Sequence, residues 1–249
     1  MVIDVHMHIG KIPGFGLGAD EILDLADRVG IDKVICAHLG ALFYDMYEGN
    51  QETGVAMRKH PDRFLGYITI SSCRYGRKAV EEIQRCYETY GMQGIKVSHN
   101  VGGVGNYAII TSVDDPFMDP IFEKAEELSL PVLAHATPDE CKALSQRFPQ
   151  VRLIMAHAGG CPGALGDWHK AVDTASHHSN IYLDTASSQV DMGYIEAAVE
   201  AIGRNRVVFG TDMPVLDPFV QLAKVSGADL DEEDRKAILE ANAADLFRL

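Results

Sequence analysis

The chain has 249 residues, of which 47% are hydrophobic and 23% charged, and this balance is typical of a globular protein rather than a disordered one. Its 22 Lys and Arg against 36 Asp and Glu give a formal net charge of -14, which disfavours nucleic acids and anionic membranes as partners. The opening MVIDVHMH has no basic, apolar leader, and no apolar run approaches the ~20 residues that span a bilayer. Five scattered cysteines without a CxxC pair indicate reduced thiols, so we expect a cytoplasmic protein.

Eight short apolar runs, rich in β-branched residues, alternate with segments of helical spacing. Hydrophobic runs that are nearly continuous are typical of parallel strands buried on both faces. The predicted strands are VIDVH (2–6), KVICAH (33–38), FLGYITI (64–70), GIKV (94–97), PVLAH (131–135), VRLIMAH (151–157), NIYLDT (180–185) and RVVFGT (206–211).

The segments between these runs place apolar residues on one helical face. Residues 20–29 form a helix that begins at Asp20 as N-cap and stops at Gly30. Residues 117–129 carry apolar side chains on one face and charged ones largely on the other, and 232–247 form the last helix.

Strands that alternate with helices predict an α/β fold, either a closed (β/α)8 barrel or an open doubly wound sheet, in one domain over 1–249. The chain length matches the about 250 residues of such a barrel. The Gly-rich segments 9–19 and 98–116 follow the first and fourth strands. They would therefore lie at the carboxyl ends of the strands, where barrel active sites are built.

Histidines and one carboxylate fall at the ends of the predicted strands. His6 and His8 are one residue apart, so in an extended chain both side chains face the same side. His135 and His157 end the fifth and sixth strands, and Asp212 follows the eighth. Each alone is more often a hydrogen-bonded core histidine or a helix cap. Their coincidence at four strand ends favours a catalytic metal site, because neutral imidazole and carboxylate suit zinc or a similar first-row ion.

A further set of motifs spans nearly the whole chain in a fixed order: DVHMH (4–8), KHPDRFLGY (59–67), GIK (94–96), ELSLPVLAHAT (127–137), LIMAHAGG (153–160), YLDTAS (182–187), FGTDMP (209–214) and ILEANAADLF (238–247). In this order they resemble the amidohydrolase superfamily. The resemblance is to its amidohydrolase-2 branch of metal-dependent hydrolases and decarboxylases with the TIM-barrel fold.

The resemblance implies roles for the same residues. His6, His8, His135 and Asp212 would hold one divalent metal ion, most often zinc, with manganese or iron as alternatives. His157 would act as general base or orient the metal-activated water. Asp212 would contact the metal and also accept a proton from the water, whose pKa a metal lowers from about 15.7 toward about 7.

Four other residues have open roles. Lys96 lies at the end of the fourth predicted strand, where two-metal relatives have a carbamylated lysine that bridges the ions. This branch typically uses one metal, so the alternatives for Lys96 are pairing with a substrate carboxylate or a simple ion pair. His99 lies one residue further along than in the GIKLH pattern of relatives, which leaves its direction open. His38 faces substrate or the core, and Asp184 either orients a ligand histidine or caps a helix.

The resemblance implies a hydrolase that acts on an amide, lactone or ester bond of a small metabolite. The alternative is non-oxidative decarboxylation or hydration of a small carboxylic acid, which uses the same ion and the same histidines. A catalytically silent barrel is disfavoured, because a degenerate site would have lost at least one ligand. We expect a small-molecule substrate and neither a nucleic-acid nor a membrane partner, and the resemblance permits a homodimer.

Overall fold

The computed structural model describes residues 1–70, 77–98, 112–160, 166–187 and 192–249. In these residues short parallel strands alternate with helices, at the positions that the apolar runs predict. The strands are β1 (Ile3–Ile9), β2 (Lys33–His38), β3 (Phe64–Gly66), β4 (Ile68–Ile70), β5 (Ile95–Ser98), β6 (Val132–His135), β7 (Leu153–Met155), β8 (Ile181–Asp184) and β9 (Val207–Val208).

The strands close into a barrel of eight staves. One run pairs β1, β2 and β3, and a second pairs β4 to β9 in chain order. Tyr67 alone separates β3 from β4, so these two segments form the third stave: its N–H bonds Cys36 O at 2.9 Å, and the next N–H, of Ile68, bonds Gly94 O at 2.8 Å. The N–H of Val5 bonds Phe209 O at 2.9 Å and joins the last stave to the first. The fold is a (β/α)8 barrel, and the open sheet is excluded.

The helices pack around the barrel through their apolar faces. In the first helix Ile22, Leu23 and Ala26 are buried, as the spacing predicts. The helices are α1 (Ala19–Val29), α2 (Leu39–Phe43), α3 (Met46–Lys59), α4 (Arg77–Tyr90), α5 (Asp119–Leu128), α6 (Pro138–Arg147), α7 (Trp168–His177), α8 (Tyr194–Ile202), α9 (Pro218–Gly227), α10 (Glu232–Lys236) and α11 (Asn242–Phe247). A π-helical turn joins the last two, so the predicted helix 232–247 is continuous. Among the described helices none is both long and apolar enough to cross a membrane.

Several predicted boundaries are wrong. The first strand continues to Ile9, so both of its histidines lie within it. The N-cap of α1 is Gly18, not Asp20, because the side chain of Glu21 bonds the Gly18 N–H at 2.7 Å and fixes the first turn there. The sixth predicted strand, 151–157, corresponds to β7 and ends at Met155. Regular pairing in the last predicted strand, 206–211, covers only Val207–Val208.

The C-terminal helix closes the amino-terminal end of the barrel. Phe247 lies in the inner core with Ile3 and Val5, and its ring meets the Tyr67 ring edge to face at 5.6 Å. A Cβ on Gly94, directly before β5, would lie 2.9 Å from the Phe247 ring, which places this helix at the strand starts. The three cysteines in the described chain, Cys36, Cys86 and Cys141, are buried free thiols, while Cys73 and Cys161 lie outside it.

Phe247→Ala should therefore lower the stability of the protein without disturbing the metal-site residues at the opposite end of the barrel. We expect the free energy of unfolding to fall by about 3–5 kcal/mol, because a buried ring is replaced by a cavity. Urea unfolding measures this loss, and metal titration of the folded variant should match that of the wild type. A loss below about 1 kcal/mol would contradict the packing described here.

Candidate metal centre

The first strand brings two histidines into the barrel by way of a β-bulge. Its register against β2 shifts between Asp4 and Met7. Val5 packs in the inner core, yet the adjacent His6 contacts Lys96 across the barrel. In a regular strand, consecutive side chains point to opposite faces, so two neighbours cannot both face the barrel interior. The bulge shifts the alternation by one residue and makes this possible.

His6 is the centre of the cluster and is fully buried. Its Nδ1 lies 2.6 Å from Asp184 Oδ2, and its Nε2 lies 3.2 Å from Lys96 Nζ and 3.5 Å from Asp212 Oδ1. Burial, and then the charge of Lys96, holds the pKa of His6 well below its usual value, so the ring is neutral. The Nδ1–H of His6 donates to the Asp184 carboxylate, so Nε2 carries a free lone pair that faces the site.

Asp184, the last residue of β8, is bonded by three N–H donors. Besides His6, the backbone N–H of His157 donates to its Oδ1 at 2.8 Å and that of Ala186 at 3.2 Å. Burial acts to raise the pKa of this carboxyl, but the N–H donors and the Lys96 ammonium stabilise the anion, which is the form that accepts the N–H of His6. The structure thus places Asp184 directly behind a predicted metal ligand, where it fixes the ring of His6.

Asp212 follows the last strand in a left-handed backbone conformation, with φ 60°. Its N–H donates to His6 O at 2.6 Å, and its Oδ1 lies 3.0 Å from His8 Nε2. Burial acts to raise the pKa of this carboxyl, but the hydrogen bond from His8 and the nearby positive charges outweigh it, and the pKa lies below its usual value. Asp212 is therefore an anion at neutral pH and available to a cation.

His157 lies outside the strands, in a short 3-10 turn, Ala156–Gly159, where its φ is 56°. Its Nδ1 donates to Ala186 O at 2.6 Å, which leaves Nε2 as the acceptor nitrogen. Burial lowers the pKa of His157 to about 4, so the ring is neutral near pH 7. Its ring centroid lies 4.6 Å from that of His6 and 4.7 Å from that of His135, the last residue of β6.

The donor atoms fit a divalent cation. One ligand atom each from His6, His157 and Asp212 lies within 4.8 Å of the others. The distances from Asp212 Oδ1 to the Nε2 atoms of His6 and His8, 3.5 and 3.0 Å, match adjacent ligands on one ion. Ligands bonded at about 2.1 Å are separated by about 3.0 Å in octahedral and about 3.4 Å in tetrahedral geometry. His157 lies as close to this centre as the predicted ligands, and His135 adjoins it.

One of the four residues with open roles lies away from the cluster. His38 ends β2, but its Nε2 bonds Glu52 at 2.9 Å and its Nδ1 accepts the Ala41 N–H at 3.3 Å. These bonds tie it to helices α2 and α3 rather than to the cluster. His99 lies outside the described residues. Two other groups at the site have no role predicted from the sequence, Asp4 and the carbonyl of Ala186. Asp4 stands in the DVHMH motif, whereas a backbone carbonyl leaves no signal in the sequence.

A barrel with histidines and carboxylates at the carboxyl ends of its strands is the architecture of metal-dependent barrel enzymes. The chain belongs to the amidohydrolase family whose amidohydrolase-2 model matches residues 3–249. This assignment confirms the family resemblance seen in the motifs.

Two relatives of established function match parts of the chain. L-fucono-1,5-lactonase from Burkholderia ambifaria is 27% identical over 119 residues, 41% of this chain and 41% of the relative. 2-Amino-3-carboxymuconate-6-semialdehyde decarboxylase from Dictyostelium discoideum is 24% identical over 205 residues, 66% of this chain and 55% of the relative. The matches thus span about half the length of these relatives.

Solved structures share the whole fold. The 5-carboxyvanillate decarboxylase from Sphingomonas paucimobilis has a TM-score of 0.79 at 16% identity, with 100% of this chain and 99% of that chain covered. A dihydroxybenzoic acid decarboxylase from Polaromonas sp., with bound manganese and the inhibitor 2-nitroresorcinol, has a TM-score of 0.76 at 18% identity, with 100% and 97% covered. At these identities the likeness establishes the barrel alone.

Proposed function

We propose that this protein is a metal-dependent, non-oxidative decarboxylase of a small carboxylic acid. One divalent ion would be held by His6, His8, His135 and Asp212. The observation that carries the proposal is a buried lysine beside this cluster of histidine and carboxylate ligands, since Lys96 Nζ lies 3.2 Å from His6 Nε2. Manganese is the first ion to test, because the Polaromonas decarboxylase structure contains it.

The ion, when bound, would supply positive charge that draws in the oxygens of an anionic substrate. Lys96 would add a second cationic contact for a carboxylate. Decarboxylation breaks the bond between the substrate carbon and its carboxylate; CO₂ leaves, and the electron pair that stays on carbon takes up a proton. Asp212 and His157 face the same space, but at neutral pH neither Asp212 nor His157 Nε2 carries a proton. One of them would therefore first take up a proton from the substrate or from solvent and then pass it to that carbon.

The neutral His157 has a defined role in this scheme. Ala186 O fixes its Nδ1 as donor, so Nε2 is the only ring atom that can take a proton from the site. Asp184 holds the backbone of the same turn. Both contacts orient the ring before substrate binds, which reduces the reorganisation needed during the reaction.

Lys96 allows a prediction that separates its alternative roles. Lys96→Met should raise KM for a carboxylate substrate by at least about tenfold, while one metal ion still binds per chain, because only the cationic partner is lost. Metal analysis and steady-state kinetics measure the two effects. A fall from two ions to one would instead indicate a carbamylated lysine that bridges a pair.

A hydrolase that opens a lactone, amide or ester remains the second candidate, and the similarity to the fuconolactonase favours it. Both reactions use the same ion and the same histidines. The decarboxylase is preferred because the similarity to the semialdehyde decarboxylase covers more of the chain, 66% against 41%.

The deciding experiment follows the carboxyl carbon. The manganese-loaded protein is incubated in D₂O with a panel of hydroxybenzoates and unsaturated dicarboxylic acids labelled with ¹³C in the carboxyl group. We expect labelled CO₂ and one deuteron on the vacated carbon. In a parallel pH-stat assay the same protein is given lactones and esters. A new acid group there, with no CO₂ from any acid of the panel, would refute decarboxylation and establish the hydrolase.

A further inference from the structure

The carboxylate of Asp4 stands at the β-bulge of the first strand, beneath the metal centre. It is fully buried, and its Oδ1 accepts two backbone N–H groups: that of His6 at 2.9 Å and that of Thr211 at 3.1 Å. The first lies two residues along the same strand and the second 207 residues away. One oxygen atom therefore joins the two chain segments that carry proposed ligands.

The two segments are also joined directly by backbone bonds. Asp212 N–H donates to His6 O at 2.6 Å, and His8 N–H donates to Met213 O at 2.7 Å. The register shift between Asp4 and Met7 interrupts the ladder between β1 and β2, so the His6 N–H there needs another acceptor. The Thr211 N–H lies beyond the regular pairing of β9 and needs an acceptor as well. The Asp4 side chain accepts both.

We propose that Asp4 is a positioning residue for the metal centre, which sets the separation of His6 and Asp212 by clamping both backbones. The inference rests on the proposed metal site. Asp4 does not reach the ion in this scheme. It keeps the two ligand atoms, His6 Nε2 and Asp212 Oδ1, 3.5 Å apart, close to the separation of two ligands on one tetrahedral ion.

Three substitutions separate the clamp from simple burial. Asp4→Asn keeps an oxygen that can accept both N–H groups. Asp4→Ser can accept from His6, in a local turn, but is too short for Thr211. Asp4→Ala removes both bonds. Glu82→Gln is the matched control, since Glu82 is an equally buried carboxylate bonded to Asn50 and Arg85, away from the centre.

The readout is the Mn²⁺ dissociation constant from competition with a chelator, together with the melting temperature of the metal-free protein. We expect Kd to rise about 10–100-fold in Asp4→Ala, as for other groups that orient metal ligands, and less in Asp4→Ser. Asp4→Asn should stay within about threefold of the wild type. Glu82→Gln should lower the melting temperature without changing Kd.

Unchanged Mn²⁺ affinity in Asp4→Ala would overturn the inference, as would equal losses in Asp4→Asn and Asp4→Ala. A parallel loss in Glu82→Gln would show that affinity follows global stability rather than the clamp. If Asp4→Ala does not fold, the comparison of Asp4→Ser with Asp4→Asn decides in the same way. A wild-type protein that binds no Mn²⁺ would refute the metal site itself, and the two failures are thus distinguishable.

Discussion

Asp212→Asn should lower kcat by about 10²–10⁴-fold while the protein remains folded. The amide keeps the shape of the carboxylate but can neither take up nor deliver a proton, and it lacks the negative charge that faces His8 at 3.0 Å. Turnover of the substrate found in the labelling screen measures the effect, and circular dichroism reports the fold.

A matched control lies five residues further along. Asp217 caps helix α9 through its Oδ1, which accepts the N–H groups of Phe219 and Val220. Asparagine is an equally good cap, so Asp217→Asn should retain activity and stability. Near-wild-type turnover in Asp212→Asn would contradict the role in proton transfer, and equal losses in both variants would indicate a general effect on the fold.

The strand pattern and the converging site could be predicted because they depend on local signals. Buried parallel strands require apolar β-branched runs, and a parallel barrel places all strand ends on one face. Strand-end residues such as His135 and Asp212 could therefore be assigned to one opening from their positions alone. The structure brings His6, His8, His157 and Asp184 to the same place.

Other features depend on tertiary contacts and could not be read from the chain. His157 and Asp212 adopt a left-handed backbone conformation, which sequence would predict only at a glycine. Here hydrogen bonds to Asp184 and His6 impose the conformation instead. The bulge beside Asp4 likewise cannot be predicted from an alternating strand pattern. Closure of the barrel, rather than an open sheet, depends on the bond between Val5 and Phe209, which joins the first and last strands across the sequence.

Asp184→Asn should weaken metal binding by about 10–100-fold without unfolding the barrel. The asparagine oxygen can still accept the N–H groups of His157 and Ala186, which keeps the turn in place. Its NH₂ group, however, would face His6 Nδ1, where the wild type has an acceptor at 2.6 Å. Two donors cannot bond each other, so the proton of His6 is expected to move to Nε2 and block the nitrogen that faces the metal.

The tautomer can be observed directly, which ties the loss of affinity to its cause. In ¹⁵N NMR of the metal-free wild type we expect His6 with its proton on Nδ1, and in Asp184→Asn with its proton on Nε2.

His38→Gln is the control, because His38 is also a buried strand-end histidine that bonds a carboxylate, at 2.9 Å, but lies away from the cluster. Its metal affinity should equal that of the wild type. An Asp184→Asn variant with unchanged Kd and an unchanged His6 tautomer would refute the orienting role, whereas weaker binding with an unchanged tautomer would leave the charge of Asp184 as the feature that matters.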